Sequence, residues 1–220
     1  MSPQTPNSTP QTPQPHYGLA LHTTSPQLGL AIGDHAATST RYRTWDLDRE
    51  MSTHLHQCIT EFLAPQTWSD LAWVAVAKGP GSFTSTRMGV VTARTLAQQL
   101  NIPLFAISSL ETFAQFVSVS RGLTIPIAVE MTAQRGKLFA GIYQLAPTGI
   151  LNNILPDNTI KADNWQQILE KLKTEYHLMQ TDKYLGNTVA SLLELAWCQW
   201  QQGKRPHWLE ALPFYGQNPV

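Results

Sequence analysis

The stretch that decides the fold is WVAVAKGPGSFTSTRMG, residues 73–89. Its first five residues are apolar without polar alternation, which is typical of a strand covered on both faces. A Gly-Pro-Gly turn ends that strand, and Ser82 or Thr84 supplies an oxygen to cap a helix expected to run to about Leu100. Residues 104–107 are apolar again, so the sequence predicts a right-handed crossover between two parallel strands.

The helix after this turn carries two apolar stripes. The first contains Met88, Val91 and Thr95. The second is made mostly of small side chains, namely Val90, Ala93, Ala97 and Leu100. A helix that lies on a sheet needs only one apolar stripe, so the second stripe predicts a further packed surface against another domain or another chain.

Several motifs around this helix resemble those of the TsaB (YeaZ) family of tRNA threonylcarbamoyladenosine biosynthesis proteins. They are GPGSFT at residues 79–84, RMG at 87–89, IP at 102–103 and SSLE at 108–111. Their agreement in spacing makes the resemblance specific, and it extends more loosely over residues 17–215. One departure is Ser85-Thr86, where the family usually has Gly-Leu.

The order of elements predicts an α/β fold. Strands are predicted at residues 17–24, 28–33 and 38–45, followed by helix, strand, helix and strand, which is the order of an RNase H-like or actin-like half. The second half carries predicted strands at 125–131, 137–145 and 182–186 and helices at 163–175 and 187–202. The TsaB family resembles the actin-like ATPase (ASKHA) superfamily, which implies two related subdomains, each with a mixed sheet flanked by helices.

The subdomain boundary is predicted near residue 119. Residues 17–119 would form the N-terminal subdomain, and residues 120–220 the C-terminal one, with a last helix that can pack back on the first subdomain. Residues 1–16 are rich in Pro, Gln and Thr and lack the apolar segment of a signal peptide, so we predict a disordered tail.

Composition argues against a nucleic-acid-binding protein, a disulfide-rich protein and a membrane protein. The 220 residues include 15 basic and 15 acidic side chains, so no global field recruits nucleic acid and any tRNA contact is expected to be indirect. Two cysteines, Cys58 and Cys198, are too few for a disulfide framework and indicate a reducing compartment. Because no apolar run is long enough to span a bilayer, we expect a cytoplasmic protein without membrane association.

The positions where the resembled superfamily holds phosphate and metal carry unsuitable side chains. That superfamily has an Asp in its first hairpin, whereas this chain has His22, and imidazole is a poor ligand for Mg²⁺. We expect His22 to be a hydrogen-bonded histidine at a strand end. Thr132 and Gln134 replace an Asp and an Arg that the family often carries. The resemblance therefore implies no catalytic residue, no metal site and no cofactor held by this chain alone, with ATP at most at a junction with a partner.

The turn formed by Gly79, Gly81 and Ser82 has two interpretations. It is either a tight structural turn in which glycine permits close approach, or a set of backbone N–H groups that bind phosphate. It is neither a Walker A loop nor a nucleophile elbow, because both motifs require residues that are missing. His54 and His56 do not form a metal-binding pair, because residues two apart on a helix point in different directions.

A second amphipathic helix is predicted around residues 52–63. In the TsaB family this helix and the helix at 84–100 pack against the same pair from a TsaD-like enzyme. The resemblance thus implies a set of partner-binding residues, which are Met51, Leu55, Cys58, Phe62, Met88, Val90, Ala93, Arg94 and Ala97. On this assignment Ala93→Arg is expected to spare the fold and abolish partner binding.

The resemblance implies a non-catalytic subunit. Such a subunit binds and supports a TsaD-like enzyme that forms N6-threonylcarbamoyladenosine next to the anticodon of ANN-decoding tRNAs. A TsaE-like ATPase joins the larger complex, and a homodimer is plausible when the chain is isolated. The alternative is an ATPase or protease-like hydrolase, for which the sequence shows no triad or metal constellation. A stand-alone tRNA-binding module is disfavoured by the zero net charge.

Overall fold

The computed structural model describes residues 16–34, 39–147, 149–181 and 184–216. Within them the chain forms nine strands and five α-helices. The predicted tail lies outside the described residues except for His16, whose N–H donates to the carbonyl of Asp70.

The first sheet has five strands. They are β1 (Tyr17–His22), β2 (Gln27–Asp34), β3 (Thr40–Asp46), β4 (Leu71–Ala77) and β5 (Leu104–Ile107). Their order is β3-β2-β1-β4-β5, in which β1, β2 and β3 are antiparallel while β4 and β5 run parallel to β1. Because helix α2 (Phe83–Leu100) connects the parallel strands β4 and β5, the predicted crossover is confirmed.

The second sheet repeats the first with four strands. They are β6 (Ile127–Thr132), β7 (Lys137–Leu145), β8 (Leu151–Lys161) and β9 (His177–Gln180). Their order is β8-β7-β6-β9, with β6, β7 and β8 antiparallel and β9 parallel to β6. This arrangement matches strands one to four of the first sheet. The duplication confirms the predicted α/β fold of two related mixed sheets flanked by helices.

Helices cover both faces of each sheet. The remaining helices are α1 (Met51–Leu63), α3 (Ser109–Arg121), α4 (Ala162–Lys171) and α5 (Val189–Gln201). Helices α1 and α2 cover one face of the first sheet and α5 covers the other. Helix α3 packs on the second sheet and also contacts α5, while α4 covers that sheet's outer face. No helix among the described residues has the length and apolarity needed to cross a bilayer.

Strand β4 is buried along its whole length, as its apolar sequence predicts. It lies between α2 on one side and α5 on the other, so neither face needs polar residues. The large ring of Trp73 is accommodated by Gly18 on the neighbouring strand, where an added Cβ would lie 2.1 Å from that ring. The absence of a side chain at Gly18 therefore lets the sheet hold a tryptophan at its centre.

Two strands of the second sheet differ from expectation. The sequence does not predict β8, because Asn152, Asn153 and Asn158 disfavour strand structure. The prediction of a strand at residues 182–186 is wrong for residues 184–186, which the structure describes. There a 3-10 turn at Leu185–Thr188 follows Tyr184. The parallel strand β9 lies earlier in the chain, where its short and largely exposed sequence gives no apolar run.

A substitution at Leu192 of α5 tests how much the packing of this helix on the first sheet contributes to stability. The Leu192 side chain has no solvent exposure and belongs to the core cluster with β4. We expect Leu192→Ala to lower the free energy of unfolding by about 2–5 kcal/mol, because it leaves a cavity in that core. Urea unfolding followed by circular dichroism measures the change. Gln201→Ala on the exposed end of the same helix is the control, and equal stability of the two variants would contradict the packing described.

Candidate functional site

Most of the side chains predicted to bind a partner are turned inward. Seven of them are between 0% and 8% exposed, namely Met51, Leu55, Cys58, Phe62, Val90, Ala93 and Ala97. All seven belong to the core cluster between the first sheet and the helix pair α1 and α2. The assignment of these residues to an exposed surface is therefore corrected. The physical reason is that a helix covering a sheet buries its stripe of small side chains there, where they let α2 approach β4 closely.

The outward side of α2 carries a different set of residues. We define the α2 surface by five of the exposed side chains of α2, which are Phe83, Thr84, Arg87, Val91 and Thr95. Val91 is 52% exposed and lies at the centre of this set. Of the predicted partner-binding residues, Met88 and Arg94 are partly buried, and the Arg94 guanidinium lies 5.9 Å from the centre of the Trp208 ring. The α2 surface thus combines two exposed apolar side chains, Phe83 and Val91, with Arg87 and two short threonines.

The glycine turn between β4 and α2 is tightly packed against the rest of the chain. A Cβ at Gly81 would lie 2.2 Å from the Thr24 carbonyl oxygen, and one at Gly79, whose φ is +103°, would lie 2.5 Å from that of Phe214. The Ser82 N–H donates to the Thr24 carbonyl at 2.8 Å. These contacts support the structural interpretation of the turn, because the Ser82 N–H that could have met a phosphate is used within the chain.

His22 lies fully buried at the end of β1. Neither ring nitrogen has a hydrogen-bond partner among the described residues, so the expected hydrogen-bonded histidine is not observed. Burial lowers the pKa of His22 to about 3, which keeps the imidazole neutral at physiological pH. An uncharged ring lacks the negative charge with which a carboxylate binds a hard cation.

The hairpin between β6 and β7 is the corresponding position in the second sheet. Thr132 and Gln134 are both exposed there, and neither carries a charge. The Gln134 carbonyl accepts a hydrogen bond from the Lys137 N–H at 3.3 Å, which closes the turn. Among the described residues, no three His, Cys, Asp or Glu side chains are grouped closely enough to hold a metal ion.

A polar cluster ties the two sheets together. The Ser108 hydroxyl accepts the N–H groups of Leu110 and Glu111 at 3.0 and 3.2 Å, which caps α3, and it also donates to the Asp157 carboxyl. The Tyr143 hydroxyl donates to the same carboxyl. Because Ser108 follows β5 while Asp157 lies on β8, the bond between them connects the end of the first sheet to the second. The bond from Tyr143 on β7 holds Asp157 within the second sheet.

The strand register explains how Asp157 reaches this cluster. Ala140 pairs with Asn158 and Ile142 pairs with Leu155, so two residues of β8 lie opposite Gly141 alone. Such a β-bulge bends the strand and redirects its side chains. An added Cβ at Gly141 would lie 2.7 Å from the Tyr143 hydroxyl, so the glycine leaves space for the hydrogen bond between Tyr143 and Asp157.

Burial raises the pKa values of the two carboxyl groups in this cluster. The pKa of Glu111 rises to about 7, mainly because the carboxyl is buried and secondly because Asp157 is near, while Lys78 and Lys204 offset part of the rise. Burial also raises the pKa of Asp157, against the hydrogen bonds from Ser108 and Tyr143. The sequence analysis used Ser108 and Glu111 only as part of a family motif. The Ser-x-x-Glu spacing is the signal that could have identified the cap of α3.

A C-terminal segment, residues 206–216, adds a second tie between the sheets. The Phe214 N–H donates to the Lys78 carbonyl at 2.7 Å, beside the glycine turn. The Phe214 ring lies 6.4 Å from that of Phe139 on β7, and the Thr159 hydroxyl donates to the Gly216 carbonyl at 2.5 Å. The segment therefore crosses from the first sheet to the second and covers the glycine turn.

Comparison with known proteins relates this geometry to a family. Residues 47–193 match the family model of TsaD, tRNA N6-adenosine threonylcarbamoyltransferase. The tRNA threonylcarbamoyladenosine biosynthesis protein TsaB of Bacillus subtilis is 36% identical over 158 residues, covering 70% of this chain and 66% of that protein. TsaB of Buchnera aphidicola subsp. Schizaphis graminum is 32% identical over 51% of this chain and 53% of its own length. The chain thus spans just under two thirds of the first relative and about half of the second.

Two solved structures from Pseudomonas aeruginosa share the fold. A protein with similarity to peptidase YeaZ superposes with a TM-score of 0.77 at 21% identity, over 92% of this chain and 100% of that one. YeaZ itself superposes with a TM-score of 0.74 at 21% identity, over 91% and 99%. Two related mixed sheets, bridged by the chain's own side chains, define a two-subdomain α/β protein. Within that class, the chain belongs to the TsaB (YeaZ) family.

A substitution at Ala93 distinguishes a core position from the predicted partner-binding position. The Ala93 side chain has no solvent exposure, so Ala93→Arg places a long charged group in the core beneath α2. We expect the free energy of unfolding to fall by at least about 3 kcal/mol, because of overpacking and an unpaired buried charge. Thermal and urea unfolding measure the loss. Thr95→Arg, an exposed position on the same helix, is the control, and a stable, fully folded Ala93→Arg protein would restore the original assignment.

Proposed function

We propose that this chain is the non-catalytic partner subunit of a TsaD-like enzyme. In this role it binds and supports the enzyme while N6-threonylcarbamoyladenosine is formed next to the anticodon of ANN-decoding tRNAs. The proposal rests on family membership, because curated relatives of Bacillus subtilis and Escherichia coli are named for threonylcarbamoyladenosine biosynthesis. It also rests on the match to the transferase family model across residues 47–193.

The observation that carries the non-catalytic role is the filled cleft. Where related folds place phosphate-binding groups, this chain has a buried neutral His22 and a glycine turn covered by the backbone of Phe214. The carboxyl of Asp157 is used in bonds to Ser108 and Tyr143 that tie the sheets. Side chains that hold one another in place are not free to hold a substrate, which supports a role through surfaces rather than through a reaction.

The α2 surface is the part of the helix pair that is available to a partner. Val91 contributes exposed aliphatic area, and Thr84 and Thr95 are short enough for a second helix to approach closely. The exposed side chains of α1 beside it are polar, including Thr53 and Thr60. The exposed side chains of this helix pair support the four-helix contact that the family resemblance implies.

The wider assembly follows from the same proposal. A TsaE-like ATPase joins the complex, ATP binds at the junction with the partner, and tRNA is contacted indirectly. Zero formal net charge supports an indirect contact, because the chain lacks the positive field that attracts a polyanion. The reaction takes place in the cytoplasm in this proposal.

A matched pair of substitutions tests the proposed interface. Val91→Arg is expected to weaken binding of the TsaD-like protein at least about tenfold, because it replaces exposed apolar area with a charge at the centre of the contact. Val119→Arg is the control, since Val119 is 54% exposed but lies on α3. Co-purification, titration calorimetry and threonylcarbamoyl transfer to tRNA measure the effect, with circular dichroism to verify folding.

The outcomes separate the competing interpretations. Equal loss of binding by both variants would place the contact elsewhere, and unchanged binding by Val91→Arg would reject the α2 surface. If the isolated chain is a dimer and Val91→Arg makes it monomeric, a homodimer uses the same surface. Turnover of ATP by the purified chain without its partner would contradict the non-catalytic role.

A further inference from the structure

We propose that a groove on the second subdomain binds an extended peptide with acidic side chains, which adds as a further strand to the free edge of β8. The groove lies between β8 and α4 and has a volume of about 410 Å³. That volume is within the range of ligand-binding clefts in proteins. The inference is independent of the proposed function, because no residue of the α2 surface lines this groove.

The lining combines the edge of a strand with one side of a helix. Residues 158–161, which are consecutive on β8, form one wall of the groove. Asn164 and Ile168 of α4 form the other wall, and residues four positions apart lie on the same side of a helix. A sheet edge binds an extended peptide through main-chain hydrogen bonds, and a groove beside the edge holds alternate side chains of that peptide.

Strand β8 has a free edge beside this groove. It is the terminal strand in the order β8-β7-β6-β9, and within the part of the chain that the structure describes it pairs with β7 alone. Such an edge presents backbone groups to which a further strand can bind. The Thr159 N–H donates to the exposed side chain of Asn158 at 2.8 Å, so a displaceable side chain occupies this donor. Pro156, which would interrupt pairing, lies before the lining segment.

Two lysines determine the charge of the ligand. Lys137, which also lines the groove, lies directly opposite Lys161 in the register of β7 and β8. Like charges directly opposite each other destabilise a strand pair. Neither lysine forms an ion pair among the described residues, and Asp157 on β8 is bonded within the chain to Ser108. A carboxylate supplied by a ligand therefore relieves a repulsion that the chain does not compensate.

The alternation of side chains along β8 defines the sequence pattern of the peptide. Successive side chains of a strand point to opposite faces, so Lys161 lies on one face and Ile160 on the other. On the second face Ile160 and Ile168 offer apolar contact beside α4. An added strand therefore fits best when acidic side chains alternate with aliphatic ones.

The strand edge favours a peptide over the other possible occupants. A polynucleotide can pair its phosphates with lysines, but its backbone lacks the N–H and C=O groups that continue a strand ladder. A second copy of this edge would bring its own Lys161 against the same charges, which disfavours pairing between copies. The ligand is therefore an acidic segment of another protein.

Fluorescence anisotropy with a labelled peptide of alternating Glu and Val tests the groove on the full chain. We expect saturable binding that weakens as the salt concentration rises, because exposed ion pairs are screened. A peptide of alternating Lys and Val should not bind. The Glu-Val peptide methylated on alternate backbone nitrogens keeps its charges but cannot complete a ladder. It is therefore expected to bind at least about tenfold more weakly.

A pair of charge reversals makes the outcome decisive. Lys161→Glu is expected to weaken binding of the Glu-Val peptide at least about tenfold, because it replaces an attraction by a repulsion. Lys173→Glu, at an exposed lysine outside the groove, is the control and should bind as the wild type does. Circular dichroism verifies that both variants are folded.

Three results would overturn the proposal. The first is equal binding by Lys161→Glu and the wild type, or equal affinity for the methylated and unmethylated peptides. The second is binding of a labelled oligouridylate that Lys161→Glu abolishes, without binding of the Glu-Val peptide, which would assign the groove to nucleic acid. The third is no binding of either probe, which would leave the lysines as a guard of the free edge against other strands.

Discussion

The hydroxyl of Ser108 is the point on which the arrangement of the two sheets depends. It accepts two backbone N–H groups at the start of α3 and donates to a carboxyl on the opposite sheet. A helix start leaves such N–H groups without partners, so the cap is needed whatever the second sheet does. Because one atom serves both purposes, the position of α3 and the spacing of the subdomains are fixed together.

The same contact explains what the chain can do. The two halves of this fold are joined by the bond from Ser108 to Asp157 and by the C-terminal segment around Phe214. The polar groups between the two sheets are thus used in hydrogen bonds within the chain. What remains available is the outer surface, and among the helices of the first sheet α2 presents exposed Val91 and Phe83 together with Arg87 and short threonines. Family membership and geometry both support the proposal of a supporting role.

The sequence predicts the first half of the fold well. The stretch at residues 73–89 contains strand, turn and helix in the order observed, because its apolar run and glycines favour that structure. The predicted side-chain cap is wrong, because Ser82 is the N-cap residue but its hydroxyl bonds to Ser85 rather than to a backbone N–H. The second half is harder to predict. Strand β8 contains Pro156 and several asparagines, and it is held as an edge strand by pairing with β7 rather than by its own preference.

The candidate site was less predictable for a different reason. Periodicity identifies the apolar stripes of a helix but does not say which stripe faces the sheet, so Val90 and Ala93 were assigned to the wrong side. The cluster around Asp157 depends on a bulge and on contacts between residues about fifty positions apart, as between Ser108 and Asp157. No local pattern encodes such contacts, whereas the cap at Ser108 leaves a local pattern that can be recognised.

Helix α5 follows the second sheet in the chain but packs on the first sheet, and this order has a consequence for synthesis on the ribosome. The first sheet is complete once Ile107 has been made, yet its second face is covered only by α5, which begins at Val189. Until α5 has been made, Trp73 and Phe105 on that face lack the helix that covers them in the folded chain. We expect the nascent chain to hold an exposed apolar sheet while some eighty further residues are added, an interval in which chaperones protect such surfaces from aggregation.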